Sequence, residues 1–176
     1  IARMWEAVDL PAVVFNLLTG PGGAVGNELV TSSRVSAISF TGSTRIGMQI
    51  AVDSAKHGKK YQLEMGGKNP VIVLPDADLE QAAEITVSGA MKYSGQKCTA
   101  TSRAIVVGNV IEEFTSLVVE KTMALKIGPG VDADSVVVPV IDQTSKDNIT
   151  SIIDRGVDDG GTVLTGGGAP TGPEYD

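Results

Sequence analysis

Val35-Ser36-Ala37-Ile38-Ser39-Phe40-Thr41-Gly42-Ser43-Thr44 is an apolar, β-branched run that breaks at Thr-Gly-Ser-Thr. The run predicts a strand over 35–40. Ser43 is a natural N-cap for a following helix whose apolar face includes Ile46, Ile50 and Ala51. That helix is expected to end at Lys56-His57-Gly58, where cations suit the carbonyl end of the dipole and glycine suits the position past the cap. Tyr61-Gln62-Leu63-Glu64 reads as the next strand. Upstream, Ala12-Val13-Val14-Phe15-Asn16-Leu17-Leu18 reads as a buried strand closed by the turn Gly20-Pro21-Gly22-Gly23, with a short helix after it. Strand, helix, strand, helix, strand is the pattern of a parallel α/β sheet, whose ligands sit at the carboxyl ends of the strands. Glu64 falls at such an end.

Downstream, Asn69 to Leu74 predicts another strand, and Asp76-Ala77-Asp78 opens a helix with Leu79, Ala82, Ala83, Thr86, Val87, Ala90 and Met91 at helical spacing. Ser94-Gly95-Gln96-Lys97-Cys98-Thr99-Ala100 follows, and Arg103 to Val107 leaves it as a strand, so Cys98 lies at a helix-to-strand junction. An amphipathic helix over 111–124, a short extended piece at 136–138, a helix over 143–157 and a strand at Thr162-Val163-Leu164 complete the reading. No internal repeat occurs. Gly66-Gly67 lets the backbone cross from one sheet to another, and the expected division is 1–63 and 64–176.

The 176 residues carry a net charge of −7, with 42% hydrophobic and 20% charged residues, 21 glycines and few aromatics. That balance fits compact α/β structure with many tight turns and argues against disorder. Binding nucleic-acid phosphates needs a net basic face, and no basic cluster longer than Lys59-Lys60 occurs, so no nucleic-acid partner is expected. Apolar runs such as Val71-Ile72-Val73-Leu74 are far too short to span a bilayer, so no membrane association is expected. One cysteine and no export signal point to a reducing compartment, the cytoplasm by default. Asn148-Ile149-Thr150 fits a glycosylation acceptor pattern and, without secretion, is taken as chance. The chain opens Ile1-Ala2-Arg3 and ends in a Gly/Pro-rich run over 166–173, so it is expected to be an internal segment of a larger protein.

Cys98 is the only cysteine and forms no internal disulfide. Its polar, glycine-bearing flanks suit a buried small hydrophobe poorly, which leaves an idle thiol or a nucleophile. His57 is the only histidine and sits at a charged helix end, so neither a Ser-His-Asp nor a Cys-His arrangement can be built, and no metal site is expected. Glu64 is a carboxylate in an apolar strand; burial there would raise its pKa and suit it to general-base work, and a salt-bridged strand end is the bland alternative. Gly20-Pro21-Gly22-Gly23-Ala24-Val25-Gly26 departs from the dinucleotide fingerprint by one residue before its last glycine. Gly42-Ser43-Thr44-Arg45-Ile46-Gly47 is better placed, because it follows a strand and opens a helix, where free N–H groups favour phosphate. Gly66-Gly67-Lys68-Asn69 fails as a P-loop, with Gln62 in place of the first glycine and Asn69 in place of Ser or Thr.

Phe40-Thr41-Gly42-Ser43-Thr44, Leu63-Glu64-Met65-Gly66-Gly67-Lys68-Asn69-Pro70 and Gly95-Gln96-Lys97-Cys98, in this order and spacing, together resemble the aldehyde dehydrogenase superfamily. Asp76-Ala77-Asp78-Leu79 after the glutamate motif and Arg103 after the cysteine add to the resemblance. It implies an α/β fold with the later part of a Rossmann-type NAD(P)-binding domain over 1–63 and the earlier part of a catalytic domain over 64–176. It also implies oxidation of a small aldehyde to a carboxylic acid. Cys98 would be the nucleophile, forming a thiohemiacetal and then a thioester; its backbone amide would give one oxyanion donor, and Glu64 would activate the hydrolytic water. Gly22, Gly42, Ser43, Gly47 and Met65 would approach NAD or NADP, with Ser43 at the pyrophosphate, Gly22 near the adenosine half and Met65 near the nicotinamide.

Family members are well over twice as long. The family's oxyanion asparagine, ribose-holding lysine and nearby acidic residue would lie before Ile1, and a second cofactor-binding glutamate after Asp176. The chain by itself is therefore expected to be inactive, and its parent to be a homodimer or homotetramer. Met65 stands where leucine is commoner. Two alternatives stay open: an acylating, coenzyme A-dependent or reductive relative, against which Glu64 speaks, and a non-catalytic scaffold relative, against which the pairing of Glu64 with Cys98 speaks.

Overall fold

The computed structural model describes residues 4, 5, 7–11 and 13–172. Its contacts divide the chain into two compact units, Ile1–Gly66 and Gly67–Asp176.

In the first unit, helix α1 (Gly22–Thr31) is followed by strand β1 (Ala37–Gly42), helix α2 (Thr44–Lys56) and strand β2 (Lys60–Met65). β1 and β2 pair in parallel with Ala37 opposite Lys60 and Gly42 opposite Met65. A parallel pair needs a crossover, which α2 supplies. Ser43 caps it, its Oγ accepting from the Ile46 N–H at 3.4 Å. At the far end His57 is the C-cap and Gly58 takes the left-handed conformation, φ +64°. Lys59 is buried and donates from Nζ to the carbonyls of Leu29 (3.0 Å) and Ser32 (2.6 Å), placing its charge on the carbonyl end of α1. β2 carries Glu64 and Met65 within this unit, whose last residue is Gly66.

In the second unit, strand β3 (Asn69–Val73), helix α3 (Leu79–Met91), strand β4 (Thr101–Val106), helix α4 (Ile111–Met123) and helix α5 (Gln143–Asp158) follow in order. β3 and β4 pair in parallel, with α3 as the crossover. Asp78 caps α3, accepting from the Gln81 N–H at 3.0 Å. Gly89 lets the helix lie close to β4, since a Cβ there would stand 2.6 Å from Thr101 Oγ1. Val73, Ala83 and Phe114 form the core, with Val71, Leu79, Val106 and Leu117 packed around it. Lys121 joins α4 to α3 through Glu80 at 3.0 Å, a bond that raises the lysine's pKa. Asp142 caps α5 by accepting from the Ser145 N–H at 2.7 Å, which holds its carboxyl below the ordinary carboxylate range. An isolated bridge between Ile127 and Val137 supplies the extended piece expected at 136–138.

Two expected strands do not form. Residues 13–18 are irregular and exposed, with Val13 at φ +67° and 84% exposure; Ala12 lies outside the described residues. Residues 162–164 are likewise unpaired and run beside an apolar groove of about 440 Å³ lined by Phe114, Val118, Ile153, Val163 and Leu164. In both places β-branched residues give the propensity, but no described strand supplies the pairing that a strand needs. No helix among the described residues is long and apolar enough to cross a membrane.

Phe114, 3% exposed, is the largest side chain of the second core. Phe114→Ala is expected to lower the unfolding free energy by about 3 kcal/mol, read as a lower urea midpoint with the slope unchanged.

Candidate active site

The parallel register of β1 and β2 sets Thr41 opposite Glu64 and Gly42 opposite Met65. The Gly42-Ser43 turn and the Glu64-Met65 pair therefore share the carboxyl edge of one β-α-β unit, where α/β proteins hold their ligands. Past Ser43 the first amides of α2 have no partner within the helix, and the dipole adds partial positive charge, so this edge suits a phosphate. Gly47 is buried, and a Cβ on it would overlap Met65 Sδ. Its glycine is thus what lets Met65 pack beneath α2. A Cβ on Gly42 would overlap the Phe40 ring. Gly22 opens α1 with open space around it and has no packing reason to be glycine. Glu64 is exposed rather than buried; Gln62 Nε2 donates to its Oε1 at 3.4 Å. His57 is an exposed helix end whose Nδ1 donates to the Asp53 carbonyl at 2.8 Å.

In the second unit, Cys98 is exposed and lies in the turn between α3 and β4. The approach to it is unusual. Tyr93, Ser94 and Gly95 all take left-handed conformations, with φ of 56°, 55° and 69°. Only glycine does so freely; each of the other two costs about 1 kcal/mol or more. Ser94 is fixed by a reciprocal pair, its Oγ donating to the Val138 carbonyl and accepting from the Val138 N–H at 2.8 Å. Lys97 Nζ sits 4.0 Å from the centre of the Tyr93 ring. Beyond it, the amides of Gln96, Lys97 and Ala100 donate to the carbonyls of Tyr93, Gly95 and Lys97. Among the described residues no acceptor meets the Cys98 N–H.

From β3, Asn69 Nδ2 donates to the carbonyls of Cys98 (2.8 Å) and Ala100 (3.1 Å). The strand register shifts here, Asn69 facing Thr101 and Pro70 facing Arg103, so Ser102 is the extra residue of a bulge. A bulge re-aims neighbouring side chains, and it accommodates a proline that has no N–H to give. Arg103 braces the same corner, donating from Nε (3.2 Å) and Nη2 (3.0 Å) to the Lys68 carbonyl. Asn69 and Ser94 brace the cysteine turn, and neither is among the site residues that the sequence suggests. The only signals in the sequence are a polar residue opening an apolar strand before proline and a serine before glycine.

A model of the aldehyde dehydrogenase family matches residues 1–175. The chain belongs to the aldehyde dehydrogenase family. It is 45% identical over 167 residues to the alpha-ketoglutaric semialdehyde dehydrogenase of Bacillus subtilis, covering 95% of this chain and 34% of that protein. Among solved structures, a betaine aldehyde dehydrogenase from Staphylococcus aureus in complex with NAD+ superposes with a TM-score of 0.95 at 32% identity, over 99% of this chain and 34% of that one. A 3,6-anhydro-L-galactose dehydrogenase in complex with NADP does so with a TM-score of 0.95 at 38% identity, over 99% and 36%. This aldehyde dehydrogenase chain thus has the family's α/β fold and spans about a third of the length of the relatives it matches.

The contact between Gly47 and Met65 gives the family's motifs a local test. Gly47→Ala is expected to destabilise the chain by about 1–2 kcal/mol through overpacking. Adding Met65→Ala should recover at least about 0.5 kcal/mol of coupling in a double-mutant cycle of urea unfolding.

Proposed function

We propose that the protein carrying this chain oxidises a small aldehyde to its carboxylic acid with NAD or NADP, using Cys98 as nucleophile and Glu64 as base. The observation that carries the reading is the exposed Cys98, whose own amide is open while those of Gln96, Lys97 and Ala100 are taken up within the turn. A thiol and an oxyanion donor on one residue are what acyl chemistry at a carbonyl needs.

Residues 1–63 are read as part of the NAD(P)-binding domain and 64–176 as part of the catalytic domain. The turn at Gly42-Ser43 fits a pyrophosphate, because the opening amides of α2 and the open carboxyl edge of the sheet offer donors and room. Gly22 and Met65 are assigned to the adenosine and nicotinamide ends, and Gly47 to holding Met65 in place. What NAD(P) supplies when bound is a hydride acceptor.

The Cys98 thiolate adds to the aldehyde carbon, and the developing oxyanion accepts a hydrogen bond from the Cys98 N–H. Loss of hydride from the resulting thiohemiacetal leaves a thioester. Glu64 takes a proton from water as its oxygen attacks the thioester carbonyl, and the C–S bond breaks to release the acid and the thiolate. A semialdehyde is the first substrate class to test, since the Bacillus subtilis relative is named for one. The parent is read as a cytoplasmic homodimer or homotetramer.

In the full-length protein, numbered as here, a panel of small aldehydes and semialdehydes with NAD+ and NADP+ tests this reading. Cys98→Ser should abolish NAD(P)H formation. Glu64→Gln should leave the first burst intact and slow steady turnover by about a hundredfold or more. Unchanged turnover in Glu64→Gln, or coenzyme A restoring it, would move the assignment to the acylating relatives. No turnover of any aldehyde would favour the scaffold alternative. The 176-residue chain alone is expected to produce no NAD(P)H in the same assay.

A further inference from the structure

We propose that Asn69 is a positioning residue for the Cys98 nucleophile, acting through its carboxamide on the backbone of the cysteine turn; the inference rests on the reading of Cys98 given above. The two carbonyls that its Nδ2 meets, at 2.8 Å on Cys98 and 3.1 Å on Ala100, bracket Thr99. Both are acceptors only, so they fix which way the amide faces: its NH₂ points into the turn. Gripping the carbonyls on either side of Thr99 sets the peptide planes that follow Cys98. It thereby restrains the Cys98 Cα–Cβ bond from the carbonyl side.

No other side chain among the described residues hydrogen-bonds the backbone of residues 98–100. The remaining anchors lie before the cysteine: Ser94 on Val138, and the amides of Gln96 and Lys97 bonded back to Tyr93 and Gly95. The Ala100 N–H returns to the Lys97 carbonyl at 3.2 Å, which holds the peptide plane carrying the Cys98 N–H and leaves the carbonyl side of Cys98 untouched. Asn69 therefore fixes the side of the nucleophile that the turn's own bonds leave free.

Its own placement is fixed in turn. The bulge at Ser102 and the rigid φ of Pro70 set where β3 begins. An amide on a strand edge, braced on both sides, holds a turn more tightly than another loop residue would.

The test uses the full-length protein with the aldehyde of the above panel that gives the largest NAD(P)H burst. Asn69→Ala and Asn69→Asp are compared with the unaltered protein; the aspartate fills the same volume and at neutral pH has no N–H to donate. Displacing a nucleophile by even part of an ångström slows the chemical step, so the burst rate constant is expected to fall about tenfold or more in both variants. The burst amplitude per folded protein should remain that of the unaltered enzyme. A merely structural role would lower the amplitude or the thermal midpoint and leave the rate constant of the remaining enzyme unchanged, and that result overturns the inference. If Asn69→Ala does not fold, Asn69→Asp decides; failure of both to fold assigns the amide to the fold and also overturns it. A burst that Cys98→Ser abolishes but both Asn69 variants keep at full speed removes the inference alone. No burst from the unaltered protein with any aldehyde removes the reading of Cys98 and the inference with it.

Discussion

Two parallel strands cannot be joined by a tight turn, and the rest of this structure follows from that constraint. In each unit a helix of 13 residues makes the crossover, Thr44–Lys56 between β1 and β2 and Leu79–Met91 between β3 and β4. Each crossover creates two kinds of edge. At the carboxyl end of β1 the chain turns through Gly42-Ser43 into a helix N-terminus, with Glu64 and Met65 on the neighbouring strand. At the amino end of β4 it arrives from a helix C-terminus, through the cysteine turn, with Asn69 on the neighbouring strand. The rule that ligands gather at strand carboxyl ends finds the first edge and passes over the second. Cys98 sits at an amino edge, and there the loop itself must organise the surroundings of the thiol.

That organisation has a cost of known size. Two non-glycine residues in the left-handed region take about 1 kcal/mol or more each. Against this stand the reciprocal pair of Ser94 with Val138, the two bonds from Asn69, and the Lys97 cation over the Tyr93 ring. A net hydrogen bond contributes about 1 kcal/mol and an exposed cation–π contact about 0.5–1 kcal/mol, so the two sides are of similar magnitude. A turn held by such a balance keeps a shape that local preference would not choose. Strained backbone beside a reactive group is where such a balance is expected to serve function.

Local signals were legible in the sequence. Ser43 as a cap, Gly58 past the end of α2, the acidic start at Asp76-Ala77-Asp78 and the strands over 61–64 and 69–74 all rest on neighbours a few residues apart, and each appears close to where expected. Pairing is not local, and there the reading failed: 13–18 and 162–164 have the composition of strands but no described partner. The apolar strand left Glu64 either a buried base or a salt-bridged strand end; it is exposed, with Gln62 donating to it. For the site, three short motifs identified the family, because their order and spacing carry more information than any one of them. Asn69 escaped notice because its partners are 29 and 31 positions away, and nothing in Asn-Pro-Val-Ile-Val announces them.

Gly47 shows how a motif glycine can be explained by what it admits. Read from the sequence, Gly-Ser-Thr-Arg-Ile-Gly offers a helix opening whose free N–H groups favour phosphate, and the family resemblance puts both glycines near the cofactor. The structure gives Gly47 a buried place over Met65, so its missing Cβ makes room for a side chain and not for open space. Met65 is next to Glu64 and opposite Gly42, the two positions that define the carboxyl edge of the first unit. A methionine has three flexible torsions and adapts readily to its surroundings, so a helix surface lacking a Cβ is what confines it to one packing. The glycine thus acts on the edge at one remove, as the carboxamide of Asn69 acts on the cysteine turn. In both units a residue proposed for the site is held in place by a neighbour, Met65 by the missing Cβ of Gly47 and the cysteine turn by Asn69.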